Sequence, residues 1–353
     1  MPNPHLTAPA TGARRRWTPS LGATLLLAAS GLALAQSGTV LNLYSARHYQ
    51  TDEALYAQFT KATGIRINRI EGREEELVER IRNEGSASPA DVLITVDVAR
   101  LAAADAMGLF QPLRSAVIDQ RVPAHLRTPN WSAFSTRARV IVYNKAAVKP
   151  EQARSYADLA APALKGQVCV RSGSHPYNLS LGASIVARQG EAAAEAWARG
   201  LVANFARKPQ GGDTDQIKAV AAGECGVTIS NTYYVARLMR STKPEDQKVM
   251  AAVNVVWPDQ ALQGTHINVS GAGIVKTAPN ADAARRFLEY LTSDDAQRYF
   301  ADGNNEWPVV ASVQVANPAL AALGTFKADA LPMVELARHS VVAQKAFDRA
   351  GWR

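Results

Sequence analysis

Val227-Thr228-Ile229-Ser230-Asn231-Thr232-Tyr233-Tyr234-Val235-Ala236-Arg237-Leu238-Met239 passes from an apolar, β-branched run straight into a helix-like run, with two tyrosines at the junction. A strand that feeds directly into a helix is the repeating step of an α/β sheet. Adjacent side chains on a regular strand face opposite ways, but where the backbone turns into a helix both phenols can face one cleft. For a bare Tyr-Tyr pair the alternative is one core tyrosine beside one surface tyrosine, so the pair must be weighed with the rest of the chain.

The same step recurs on either side. Upstream, Lys165 to Val170 reads as a strand, and Ser172-Gly173-Ser174-His175-Pro176-Tyr177-Asn178 joins it to a helix through Leu181, Ile185 and Val186. Asp213 to Gln216 reads as a capping box and Gly223 as a helix stop. Nearer the start, Val40 to Tyr44 is a strand, followed by Arg47-His48-Tyr49 and an amphipathic helix from Thr51 to Ala62. Ile65 to Ile70, a helix around Glu74 to Glu84, the strand Asp91 to Thr95 and a helix opened by Asp97 continue the alternation. This predicts a mostly parallel sheet covered by helices.

Two stretches do not fit a single domain. Arg139 to Asn144 is expected to carry the chain from one domain to a second. His266 to Val275, an apolar strand with a glycine break, is expected to bring it back, and two such crossings make a hinge. Val253 to Trp257 reads as a further strand, Ala281 to Tyr299 as one helix, Asn304 to Val309 as an exposed turn, and Leu331 to Trp352 as a final amphipathic helix.

The 353 residues, 47% hydrophobic, suffice for two cores. Residues 1–35 read as a signal peptide: Arg14-Arg15-Arg16 precede the apolar run Leu21 to Leu34, and Ala33-Leu34-Ala35 supplies a small-x-small cleavage site. Both Sec and twin-arginine export stay open, and no membrane insertion is expected after cleavage. Losing the leader leaves 36 Lys and Arg against 31 Asp and Glu, a mild +5 scattered along the chain, so no nucleic-acid partner is expected. The two cysteines, Cys169 and Cys225, lie in the exported part. An even count outside the cytosol favours a disulfide, with two buried free thiols as the alternative. Each precedes a tyrosine by eight residues, so a bridge is expected to set two neighbouring strands in register and bring Tyr177 and Tyr233 to one crevice.

Ligands of open α/β sheets sit beyond the carboxyl ends of the strands. His48-Tyr49, Tyr177 and Tyr233-Tyr234 all follow strands. Phenolate is a hard anionic donor suited to a hard trivalent cation such as Fe(III), and with a free pKa near 10 it must yield its proton to the metal. Arg237, on the same helical face as the tyrosine pair, with Arg137 and Arg47, are candidates to balance the charge or hold an accessory anion.

Tyr44-Ser45-Ala46-Arg47-His48-Tyr49, Ser174-His175-Pro176-Tyr177-Asn178, Asn231-Thr232-Tyr233-Tyr234 and Asn304-Asn305-Glu306-Trp307-Pro308-Val309 together resemble the periplasmic ferric-ion-binding proteins of ABC iron importers. The resemblance covers essentially the whole chain after the leader. It implies a two-lobed, type II Venus-flytrap fold of mixed sheets flanked by helices, with two crossover hinge strands. The lobes would be 36–137 plus 265–313, and 138–264 plus 314–353. It further implies Fe(III) held by His48, Tyr49, Tyr177, Tyr233 and Tyr234, a synergistic anion such as carbonate as a further component, a periplasmic monomer, and an ABC permease as partner. One branch of the family adds a glutamate after the third strand. Thr95-Val96-Asp97 has an apolar residue there, which favours the tyrosine-rich branch.

Two other readings compete. A protein of the same fold could bind a small oxyanion or polyamine through Arg137, Arg237 and the helix ends. A hydrolase could use Asp97, His175 and Ser172, but the chain has neither a nucleophile-elbow glycine pattern nor a paired-histidine motif, and no enzyme is expected.

Overall fold

The computed structural model describes residues 39–47 and 49–353. The signal peptide and His48 fall outside the described residues. Gly38–Arg353 forms one compact unit.

Its first part is a run of βα steps: β1 (Val40–Ser45), α1 (Asp52–Thr63), β2 (Arg66–Glu71), α2 (Glu74–Glu84), β3 (Val92–Thr95) and α3 (Val98–Ala106). β1 pairs in parallel with both β2 and β3. After α4 (Ala116–Arg121) comes β4 (Trp131–Asn144), a 14-residue strand buried along its length. The second part contains β5 (Val168–Cys169), α5 (Pro176–Gln189), α6 (Glu191–Ala203), α7 (Asp213–Ala222), β6 (Val227–Asn231), α8 (Thr232–Met239), α9 (Pro244–Ala252) and β7 (Val253–Val256). β8 (Ile267–Ile274), α10 (Ala281–Leu291), α11 (Asp294–Asn304), β9 (Trp307–Pro308), α12 (Pro318–Leu323) and α13 (Met333–Ala350) complete the chain.

β4 organises the molecule. From Trp131 to Ala138 it pairs antiparallel with β8, and from Arg139 to Tyr143 with β6. The strand therefore leaves one half-sheet, ordered β2-β1-β3-β8-β4, and enters another, β4-β6-β5, between Ala138 and Arg139. The crossing strand begins eight residues earlier than the sequence suggests, because Ser132, Ser135, Thr136 and Arg137 hide its first half from a hydropathy reading. β8 is the second crossing and pairs with both β3 and β4.

Four expectations are corrected. The sheet is mixed rather than mostly parallel, because β4 contributes antiparallel pairs to β6, β7, β8 and β9. The glycines of β8 do not break it: a Cβ at Gly273 would lie 2.6 Å from the Phe110 ring, and one at Gly271 would lie 2.6 Å from Leu101. Those glycines admit close packing within a continuous strand. The single helix expected over Ala281 to Tyr299 is two helices, divided where the Ser293 hydroxyl accepts the Ala296 N–H and starts α11. Asn304 to Val309 is not an exposed turn: Asn304, Asn305, Glu306 and Val309 are buried, Trp307 and Pro308 are half-buried, and β9 pairs with β4.

The disulfide between Cys169 and Cys225 is present, but it does not join register partners. Cys169 lies opposite Thr228, and Cys225 precedes β6. The equal eight-residue spacing to the tyrosines therefore reflects two different local paths.

Leu41, Leu43, Phe59 and Phe287 pack the first half-sheet against its helices, while Val140, Val142, Ile217, Val220 and Val235 pack the second. α13 lies on α3, α5 and α6, with Phe347 against Trp197 and Trp352. Among the described residues no helix is long and apolar enough to cross a membrane.

Candidate metal centre

Tyr233 and Tyr234 occupy the first turn of α8, directly after β6, and Tyr177 the first turn of α5. α5 starts there because Pro176 stands at its first position and the His175 ring accepts the Tyr177 N–H through Nδ1 at 3.2 Å. The Tyr233 hydroxyl donates to the Tyr177 hydroxyl across 2.9 Å. The Tyr233 and Tyr234 rings lie 4.3 Å apart at 35°. Tyr49, from the loop after β1, is near enough for its charge to act on Tyr177 and Tyr233 and for Tyr234 to act on it.

Burial dominates the proton chemistry of these groups. It raises the Tyr177 phenol above its ordinary value of 10, and the charges of Tyr234 and Tyr49 raise it further. Tyr233 is pushed well above 10 by burial and then by Tyr177, Tyr49 and Tyr234. Tyr49 is raised by burial and by Glu306, against the guanidiniums of Arg47 and Arg137. Near neutral pH these three phenols therefore keep their protons until a strong Lewis acid displaces them.

The three arginines have different settings. Arg47, 1% exposed, donates through Nε to Asp52 at 2.8 Å and through Nη1 to Glu306 at 3.0 Å and Ser270 at 2.9 Å. Its guanidinium lies 4.8 Å from the Tyr49 ring centroid. Arg137 is 2% exposed, bonds Ser270 at 3.0 Å and approaches Glu306 to 3.9 Å, while its Nε has no protein partner. Arg237 is exposed, with its guanidinium 5.6 Å from the Tyr234 ring centroid.

The hydrolytic set does not assemble. Asp97 caps α3 and accepts from Asn268, Ser172 bonds Ser174, and the His175 ring is engaged with the Tyr177 backbone. Burial, with Arg171 and Arg139 nearby, holds the His175 imidazole down to about 3.

Sequence reasoning missed Glu306, which links Arg47 to the Ser135 hydroxyl on β4. It also missed Arg139 and Asp213, an ion pair beneath the tyrosines. A signal was available for Arg139: it stands at i+2 from Arg137, so on the same face of an extended strand, and directly before the apolar run Val140-Ile141-Val142.

Phenols converging from strand ends of two half-sheets, joined by two crossing strands, are the arrangement of a two-lobed binding-protein fold with a candidate ligand site at the phenols. Residues 87–325 match the bacterial extracellular solute-binding protein family, and the chain belongs to it. It is 50% identical over 315 residues to iron uptake protein A1 of Synechocystis sp., covering 89% of this chain and 87% of that one. It superimposes with a TM-score of 0.85 on a Trichodesmium protein (IdiA, FutA) in complex with iron and citrate, at 50% identity, covering 89% of this chain and all of that one. A ferric binding protein from Campylobacter jejuni gives a TM-score of 0.83 at 39% identity, again covering 89% of this chain and all of the other. The fold is the two-lobed type II solute-binding fold, with mixed sheets flanked by helices.

Proposed function

We propose that this protein captures Fe(III) in the cleft between its lobes through the phenolates of Tyr49, Tyr177, Tyr233 and Tyr234, with His48 at the first-lobe end, and hands it to an ABC permease in the periplasm. The observation that carries this is the 2.9 Å contact between the Tyr233 and Tyr177 hydroxyls, with Tyr49 and Tyr234 electrostatically linked to both. Oxygen donors so clustered suit a hard trivalent ion. The relatives named for iron uptake, ferric binding and an iron–citrate complex support the same cargo and do not favour an oxyanion or polyamine.

We assign residues 36–137 plus 265–313 to the first lobe and 138–264 plus 314–353 to the second, in line with the passage of β4 from one half-sheet to the other after Ala138. The second lobe holds three of the four phenols and takes the ion in the open form. Tyr49 completes the shell as the lobes close, and the closed form is the one presented to the permease. Four phenolates on Fe(III) carry one negative charge. Arg237 over Tyr234 and Arg137 behind the cleft oppose that charge or hold an anion such as carbonate or citrate. Arg47 is already matched by Asp52 and Glu306 and serves to support Tyr49. The protein acts by binding and release, as a monomer after leader removal, and catalyses no reaction.

Adding Fe(III) to purified protein is expected to produce a visible tyrosinate-to-iron charge-transfer band at one ion per chain, and Tyr233→Phe with Tyr234→Phe to abolish it. A colourless wild-type protein, or a double variant that keeps the band, overturns the assignment.

A further inference from the structure

Behind the phenols lies a buried ion pair that metal binding, as described so far, does not use. Arg139 is 2% exposed and Asp213 fully buried, and the guanidinium Nη1 donates to Asp213 Oδ2. The same Nη1 donates to Asn231 Oδ1 at 3.1 Å, and Nη2 donates to Asn178 Oδ1 at 2.7 Å. Asp213 also accepts the Asn231 backbone N–H at 2.8 Å and Arg171 Nη1 at 3.1 Å. Asn178 Nδ2 in turn donates to the carbonyls of Ser172 at 2.9 Å and Arg171 at 3.2 Å.

The positions of these partners give the cluster its meaning. Asn178 is the residue after Tyr177, and Asn231 stands two before Tyr233. Asp213 opens α7, and Arg139 is the first residue of β4 paired to β6 after the strand leaves β8. One ion pair thus grips both segments that deliver the hydrogen-bonded phenols and fixes them to the crossing strand. The guanidiniums of Arg139 and Arg171 lie 5.7 Å and 5.3 Å from the Tyr177 ring centroid, close behind it. Stability is a weak reason for such a pair, because well-packed apolar residues often replace a buried ion pair without loss. Geometry is a better one, since a metal shell requires its donors to be held within about 0.5 Å by the groups behind them.

We propose that Arg139 and Asp213 are positioning residues that set the Tyr177–Tyr233 spacing before the ion arrives and tie it to the crossing strand. The proposal rests on the ferric-iron reading above. Neither residue touches the ion.

The test compares wild type, Asp213→Asn, Asn178→Ala and Ile217→Val, each titrated with ferric nitrilotriacetate and then challenged with excess EDTA. Asn178→Ala cuts one tether while leaving the ion pair intact, so it decides the matter if Asp213→Asn does not fold. Ile217→Val loosens α7 through its buried apolar face alone. The two polar variants are expected to lose roughly ten- to a hundred-fold in iron affinity and to shift the charge-transfer band. Ile217→Val is expected to lower Tm and leave band and affinity unchanged. A wild-type band that persists unshifted in both polar variants, with unchanged affinity, overturns this proposal alone. Absence of the band in wild type overturns the iron reading and this proposal with it. A shift in Ile217→Val equal to that of the polar variants reduces the cluster to a structural role and also overturns it.

Discussion

At the scale of single residues, the proposed site contains three phenols, Tyr49, Tyr177 and Tyr233, that burial holds protonated and that an ion binding there must deprotonate. Because burial raises Tyr49, Tyr177 and Tyr233 above their ordinary value, every phenolate formed on binding at neutral pH releases one proton. Iron affinity is expected to fall steadily with acidification, and binding in weak buffer at pH 7 to release about three to four protons. Release of a single proton would contradict a shell of phenolates. Glu306 answers Arg47 and stands close to Arg137, so Glu306→Gln leaves buried positive charge unmatched and should cost about 3–5 kcal/mol, read by denaturant unfolding of the iron-free protein. His266 offers a separate pH test away from the phenols. Burial holds its imidazole down to about 3 from an ordinary 6.5, with its ring against the Ser180 hydroxyl at 2.9 Å. The unfolded chain therefore binds the extra proton first, and stability from this group is complete above pH 6.5 and lost as pH falls towards 3. At pH 5 the loss is about 2 kcal/mol, and His266→Gln should remove that slope. Asp259, raised to about 6 by burial, and Glu74, raised to about 7 by burial and Asp97, act with the opposite sign, so the difference between variant and parent is the quantity to measure.

At the scale of elements, most helices and strands were legible because their signals are local. The Asp97 cap of α3, the Gly64 stop after α1 and the Gly223 stop after α7 stand where the sequence puts them. β5 shrank from six expected residues to two, since its pairing is limited by where β6 begins. The Asn304–Val309 segment looked exposed because Asn, Asn and Glu are polar, yet Asn305 adopts a left-handed conformation and turns the chain under β4, where Glu306 meets Arg47 and Ser135. The disulfide closes 56 residues of separation around β5, α5, α6 and α7, worth about 4 kcal/mol of chain entropy. Replacing both cysteines by alanine is expected to lower Tm clearly while iron still binds one per chain. Gly273→Ala should cost about 1–3 kcal/mol, because the new methyl meets Phe110 in the continuous strand β8. A substitution tolerated there would show that Phe110 can move aside.

At the scale of the whole molecule, two half-sheets share one long strand, and the proposed capture of iron uses the joint between them. In the proposed mechanism, iron that joins the second-lobe phenols to Tyr49 would favour the closed arrangement by the free energy of that added contact. Tyr49→Phe should retain a weaker coloured complex but lose the compaction on binding that small-angle scattering records for wild type. Equal compaction in the variant would exclude Tyr49 as the closing ligand. The sequence by itself determined the α/β class and the family resemblance, because each is written in local pattern or residue type. Tertiary structure alone decided that the crossing strand runs the full length of β4, that the cysteines bridge out of register, and that Glu306, Arg139 and Asp213 lie behind the phenols. Those facts depend on pairings between residues up to 259 positions apart, as in Arg47 with Glu306, and side-chain chemistry at one position carries no record of which distant partner will compensate its burial.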